Sequence, residues 1–318
     1  MSDVRAIITV SLNPAIDRVI EVENFTLGEH QVGHEIMRIP GGKAVNVSRV
    51  LKTLGVRNIA TGFLGRDNRH EFDSVLSGHL VGDEFFLLPG RTRENITIAD
   101  PKTNQETHIR NPGLTVDPRS LKRLATKLNL VCRQGHFVVF SGSLPPGVEG
   151  KDFVTLLDIC RSAGAHVAVD TTGEALDAVA DQSLWLVKPN AAELARLAGR
   201  ELHGLDDELR AARALVGRVK IVLFTRGAEG AYLFTEQFAL HARAEMDPAR
   251  VRNTVGCGDV LLGAFLAGLW RGRAMIEAFA DAVAAATASA CTIAPAEFES
   301  QTVAEFRAAL RVESLPPA

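Results

Sequence analysis

The sequence has no CxxC pair, no excess of either charge and no apolar run long enough to span a bilayer. Its four cysteines, Cys132, Cys160, Cys257 and Cys291, have no histidine at zinc-finger distance, which excludes a structural zinc module. Three of them read as buried apolar residues; Cys257 lies in a motif treated below. The β-branched run at the start reaches Asn13 and Pro14 too soon for a signal peptide or a membrane span. The Ala-rich stretch from Ala282 to Ala294 is also too short to cross a bilayer, and Asp281 precedes it. Thirty-five basic residues stand against 38 acidic ones, for a net charge of −3, and the basic residues are scattered. A nucleic-acid backbone therefore has no electrostatic stripe to bind. These absences lead us to expect a cytoplasmic protein with neither a membrane nor a nucleic-acid partner.

Several nucleotide and metal motifs are missing too. There is no Walker A sequence, and Leu261 stands where a dinucleotide fingerprint needs its third glycine. His34-Glu35 and His70-Glu71 begin an HExxH pattern but lack the second histidine, so zinc-dependent hydrolysis has no support.

What is present is the composition of a globular protein: 318 residues, 46% apolar and 23% charged, without low-complexity tracts. From about residue 136 short β-branched runs alternate with amphipathic segments, the pattern of a mostly parallel sheet covered by helices on both faces. The runs 136–140, 166–170, 184–188 and 220–225 each lead into a polar or glycine-containing loop: SGSLPP, TTGE, PNAAE and RGAEG. Ligands of open α/β sheets bind outside the carboxyl ends of the strands, so these loops predict one ligand-binding edge. The first third differs. After the apolar strand AIITVSL, the segments RVIEVENF, HEIMRI, NITIAD and ETHIR have antiparallel character, the last two joined by a turn at Pro101, Lys102, Thr103 and Asn104. We expect a small β layer built from about 18–39 and 86–111, acting as a lid on the α/β body or forming an edge of its sheet.

Two segments carry candidate chemistry. In NTVGCGDVLLGAFLAGLW, starting at Asn253, Gly256, Cys257 and Gly258 lead into a helix whose first turn holds Asp259. Free N–H groups and the helix dipole at such a start suit a phosphoryl group, and a carboxylate beside them suits proton removal from an attacking hydroxyl. An ordinary helix start with a dipole-stabilised aspartate accounts for the same residues. In PGGKAVNVSRVLKTLG, Gly41 and Gly42 permit close backbone approach, and Lys43 and Asn46 share a helix face that can meet a sugar or its phosphate.

Together, GGKAVNVSRVLKTLG, SGSLPPG at 141–147, KPNAAE at 188–193, TRGAEG at 225–230 and NTVGCGDVLLGAFLAGL resemble, in order and spacing, the signatures of the PfkB/ribokinase family of carbohydrate kinases. SLNPAIDR at 11–18 and RTREN at 91–95 look most like the branch containing 1-phosphofructokinase and tagatose-6-phosphate kinase. The resemblance implies a single ribokinase-like domain over 1–318, a three-layer αβα sandwich with a β-sheet lid. It also implies ATP and Mg²⁺, a monovalent cation in some members, and homodimerisation through the lid. Carried over by position, Asp17, Gly42, Lys43 and Asn46 would line the sugar site, with Arg93, Asn95 and Ser143 around the substrate phosphate. Lys188, Asn190, Thr225, Gly227, Gly230, Gly256 and Gly258 would serve ATP, Asn190 and Glu193 would organise the metal through water, and Asp259 would be the base. The implied reaction is phosphorylation of fructose 1-phosphate, with tagatose 6-phosphate and fructose 6-phosphate as competing acceptors. The rivals are a sugar- or nucleotide-binding protein without turnover, and a nicotinamide oxidoreductase that the missing glycine fingerprint disfavours.

Two positions depart from the family pattern. Arg110 stands where the branch carries asparagine, and it reads either as a second phosphate ligand or as a surface hairpin arginine. Cys257 replaces a small residue at a helix start, where a thiol is expected to have a lowered pKa, to alkylate readily and to be protected by ATP.

Overall fold

The computed structural model describes residues 6–103 and 105–316. Fourteen strands fall into two sheets. They are β1 (Ile7–Ser11), β2 (Ala15–Glu21), β3 (His34–Gly41), β4 (Asn58–Gly65), β5 (Val81–Leu88), β6 (Glu94–Asp100), β7 (Gln105–Arg110), β8 (Phe137–Gly142), β9 (His166–Thr171), β10 (Leu184–Val187), β11 (Val219–Thr225), β12 (Ala231–Phe234), β13 (Ala239–Arg243) and β14 (Arg311–Ser314). The large sheet runs β14-β13-β12-β11-β10-β9-β8-β1-β4-β5. All pairs from β11 across to β5 are parallel, and β12, β13 and β14 add an antiparallel edge.

Period-two alternation sends successive residues of each central strand into two cores. Ile7, Val139, Leu186 and Ile221 face helices Lys43–Thr53, Cys257–Trp270 and Met275–Ser289. Ile8, Val138, Val187 and Val222 face helices Pro118–Val131, Gly150–Ser162, Ala191–Ala198 and Gly204–Ala214. Because both faces are covered, these strands read as continuous apolar runs, and the result is the three-layer αβα sandwich.

The strands β3-β2-β6-β7 form a separate four-stranded sheet, not an edge of the large one. Its β2 and β3 lie between β1 and helix Lys43–Thr53, and its β6 and β7 follow β5, so the small sheet springs from the carboxyl edge of the large one. The second stretch begins at Glu94, not near residue 86: Val81–Leu88 pairs in parallel with β4 and belongs to the large sheet. Asn104 of the expected turn lies outside the described residues. No described helix is long and apolar enough to cross a membrane.

Chain order fixes where a ligand can enter. From β1 the chain moves to β4 on one side, and β8 later pairs on the other side of β1. The carboxyl ends of β1 and β8 therefore flank a topological switch point, where α/β sheets open a crevice.

Candidate active site

Helix Cys257–Trp270 is buried almost all round and sits against helix Lys43–Thr53 at close range. Gly263 makes that approach possible, since a Cβ there would lie 2.7 Å from Val50 Cγ1. The approach lets Asn46 Nδ2 donate to Asp259 Oδ2 at 2.8 Å. At the helix start Gly256 adopts φ 84°, a left-handed conformation that favours glycine, and a Cβ would meet the backbone N of Ala296 at 2.8 Å. The N–H groups of Gly256 and Gly258 have no partner among the described residues, so they are free to receive an anion.

Around Asp259 the charges form one cluster. Lys43 Nζ lies 2.8 Å from Asp170 Oδ1 and 3.4 Å from Glu193 Oε1, and Lys188 Nζ lies 3.1 Å from Asp170 Oδ2. Burial, and then the negative charge of Asp170, push the Asp259 carboxyl up to about 7, against the opposing pull of Asn46, Lys43 and Lys188. Burial alone would also raise Asp170, but its two lysines win and hold it below the usual carboxylate range. Two aspartates in one cluster thus titrate far apart, and one of them is poised to exchange a proton near neutrality.

Asp170 is the residue that sequence reasoning missed. It reads as the last polar position of the run 166–170, and the available signal was its placement at the carboxyl end of a buried strand on the predicted ligand edge.

No three His, Cys, Asp or Glu side chains gather as a metal cage among the described residues. Asp170 and Glu193 nevertheless converge on the same ammonium group, and their hard oxygen donors suit Mg²⁺ arriving with phosphate oxygens and water. Asn190 and Glu193 cap their helix reciprocally, Asn190 Oδ1 accepting from Glu193 N–H and Glu193 Oε2 accepting from Asn190 N–H. That arrangement leaves Glu193 Oε1 turned toward Lys43.

The small sheet presents a second group. In register across it stand Asp17, Asn95 and Arg110, and Asn95 Nδ2 donates to Asp17 Oδ1 at 2.9 Å. A side chain on Gly41 would overlap Asp17 Oδ2, so glycine there leaves the carboxylate its space, with Asn46 Oδ1 just beyond. Asn46 Oδ1 and Asn95 Oδ1 are buried acceptors without donors among the described residues. Orphaned acceptors of this kind call for hydroxyl donors, which a sugar supplies.

Beyond this row a cavity of about 670 Å³ opens at the switch point, lined by Asn13, Arg93, Arg110, Ser143, Glu149 and Glu174 among others. Arg93 donates to the carbonyls of Asn13 at 2.9 Å, Asn111 at 2.9 Å and Pro14 at 3.3 Å, and lies 3.4 Å from Ser143 Oγ. Farther along the edge, Asn190 and Thr225 form a bridge between the ends of β10 and β11, and the turn holding Gly227 and Gly230 follows.

The structure therefore brings Lys43, Asn46, Lys188, Glu193 and Asp259 into one cluster, and joins Asp17, Gly41 and Asn95 to it. It sets Arg93, Arg110 and Ser143 in a cavity of their own, and leaves Thr225, Gly227 and Gly230 farther along the sheet. The expectation for Cys257 fails. Burial, reinforced by the charge of Asp259, pushes its thiol up to about 11 and overrides the hydrogen bond from Ser289 and any help from the helix start. Cys132 and Cys160 are buried as expected, whereas Cys291 is only half-buried.

Comparison with known proteins agrees with this geometry. Residues 10–300 match the model of the pfkB family carbohydrate kinases. A 1-phosphofructokinase of Haemophilus influenzae is 32% identical over 286 residues, covering 88% of this chain and 90% of its own. A 1-phosphofructokinase of Rhodobacter capsulatus is 33% identical over 313 residues, 98% of each chain. Among solved structures, Escherichia coli phosphofructokinase-2 in complex with potassium superposes with a TM-score of 0.87 at 26% identity, covering 96% of this chain and 98% of that one. A buried aspartate at a glycine-lined helix start, facing hydroxyl acceptors and two lysines, is the chemistry such proteins need, and the chain belongs to the pfkB family of carbohydrate kinases, phosphotransferases that act on a sugar hydroxyl.

Proposed function

We propose that the chain transfers the terminal phosphoryl group of ATP to the carbon-6 hydroxyl of fructose 1-phosphate. The observation that carries the reading is Asp259, buried, lifted to about 7 and standing beside unpaired N–H groups at its helix start. The relatives named 1-phosphofructokinase support the choice of acceptor.

Asp259 takes the proton of the attacking hydroxyl, whose sugar ring is held by Asp17, Asn95 and Asn46 beside Gly41 and Gly42. The N–H groups of Gly256, Cys257 and Gly258 receive the transferring group, and Lys43 with Lys188 balances its charge. Arg93, Arg110 and Ser143 take the substrate phosphate. Lys188, Asn190, Thr225, Gly227 and Gly230 form the nucleotide edge. Asp170 and Glu193, with Asn190 through water, would hold Mg²⁺, which when bound supplies charge neutralisation between the phosphates. Monovalent-cation binding is supported by the potassium complex of the solved relative. The small sheet acts as a lid, and its exposed Ile36 and Ile109, with Leu27 and Val32 in the β2–β3 connection, suit a cytoplasmic homodimer built through it.

A second acceptor, fructose 6-phosphate, is favoured by the E. coli phosphofructokinase-2 complex with that sugar, which covers 96% of this chain at 26% identity. Tagatose 6-phosphate offers the same groups. A panel of phosphorylated and free ketohexoses with MgATP, ranked by kcat/KM, tests the assignment. Fructose 1-phosphate should lead; a free sugar or another acceptor at the head of the ranking overturns it.

A further inference from the structure

Two arginines share the cavity at the switch point, but their circumstances differ. Arg93 stands at the start of the small sheet with its N–H groups already committed to the main-chain carbonyls of Asn13, Pro14 and Asn111. It is a strut that ties the small sheet to the β1 loop before any ligand arrives. Arg110, on the outer strand of the small sheet, is exposed and has no hydrogen-bond or ion-pair partner among the described residues, although it lines the same cavity. The Arg93 guanidinium lies below its ordinary pKa, chiefly through burial, with Asp17 opposing the shift and the like charge of Arg110 adding to it. Two guanidinium groups within reach of one another, with the Ser143 hydroxyl between the sheets, form a site that an anion completes.

The two sides of that site belong to different bodies. Ser143 and Asn13 are on loops at the carboxyl edge of the large sheet, and Arg110 is on the small one. A contact already made in the free protein cannot drive a rearrangement; one made only with ligand can. Arg110 is also in register with Asn95 and Asp17, so a pull on it is transmitted along the sheet to the carboxylate beside Gly41 and hence toward Asn46 and Asp259.

We propose that the phosphate already on the sugar is the group that draws the small sheet onto the body, with Arg110 as the positioning residue that turns phosphate binding into turnover and selects phosphorylated over free ketohexoses. The inference rests on the sugar-phosphate kinase reading above. It predicts that remote binding energy is expressed in the rate: free fructose should turn over slowly, and inorganic phosphite, added as a separate dianion, should accelerate that turnover.

The test compares wild type with Arg110→Ala and Arg110→Lys for fructose 1-phosphate, and for free fructose with and without phosphite. Wild type should prefer the phosphorylated sugar and be activated by phosphite. Arg110→Ala should lose about 30- to 1,000-fold of that preference, the range for truncating one partner of a charge-assisted pair, and lose phosphite activation with it. Arg110→Lys should recover part of both. If wild type shows no preference for the phosphorylated sugar, the kinase-substrate reading falls and takes this inference with it. If wild type prefers it and is activated by phosphite while Arg110→Ala keeps both properties, the substrate reading stands and the role of Arg110 is overturned. Thermal unfolding of each variant checks that the fold is retained, since an exposed side chain contributes little to stability.

Discussion

Replacing Asp259 by asparagine should stabilise the protein at neutral pH while disabling it. Carrying the carboxyl from an ordinary 3.8 to about 7 means that folding favours its protonated form. That contribution to stability is complete below about pH 4 and is lost as pH rises to about 7, above which it stays lost, amounting to about 4 kcal/mol. Asparagine at 259 is neutral throughout and keeps an oxygen to accept from Asn46 Nδ2. Its amide can also donate to Asn46 Oδ1, which otherwise lacks a donor. The variant should therefore exceed wild type by up to about 4 kcal/mol near pH 8, with the gap closing as pH falls toward 4. Urea unfolding midpoints across that range read the difference directly. Turnover should fall by about 10²–10⁴, the range for loss of a general base. A variant no more stable than wild type near pH 8, or a gap indifferent to acidification, refutes the claim that Asp259 is held in the folded state at an energetic cost. Near-normal turnover removes it from the role of base.

Because only the ionised carboxylate accepts a proton, kcat/KM should rise with pH on an acid limb centred near 7; Asp170→Asn removes a neighbouring negative charge and should move that limb to lower pH, and a limb that stays put separates the two aspartates. With its thiol near 11, Cys257 should react with iodoacetamide at neutral pH roughly 10²-fold more slowly than an unperturbed cysteine, measured by peptide mass mapping, and fast, ATP-protected labelling would contradict the burial argument. Gly41→Ala should crowd the Asp17 carboxylate, a movable side chain, and so raise KM for the sugar by about tenfold or more while leaving the unfolding temperature nearly unchanged; an unaltered KM would place the sugar elsewhere.

The parts of this site that were legible in the sequence are those whose chemistry is local. Gly256, Gly258 and Asp259 announce a helix start with a carboxylate in its first turn, and the alternating runs after residue 136 announce a parallel sheet with its ligand edge. What escaped depends on contacts between distant segments. Asp170 matters because Lys43, 127 residues earlier, and Lys188 both reach it, and no local pattern encodes that meeting. The expectation for Cys257 had the right local physics, a thiol at a helix start, but the burial of that start decided the sign. Val81–Leu88 was divided wrongly because one face of this outermost parallel strand is solvated, so its alternation imitates an antiparallel strand of the small sheet.

The packing also determines which part of the machine can move. Helix Cys257–Trp270 is held against helix Lys43–Thr53 through Gly263 and against helix Met275–Ser289 through Gly268, where a Cβ would lie 2.7 Å from Ala278 Cβ. Any shift of Asp259 along its helix axis would break both close approaches, in a core where almost no residue from Asp259 to Gly268 is exposed. The base is therefore stationary, and the acceptor hydroxyl must be delivered to it. The small sheet is the element built to do so: it carries Asp17 and Asn95, it is hydrogen-bonded within itself rather than to the large sheet, and it is attached where β1 and β5 end. A ligand that touches only the large sheet gains nothing from its approach, whereas one that also reaches Asp17, Asn95 and Arg110 does, so closure and correct placement of the hydroxyl before Asp259 are driven by the same contacts.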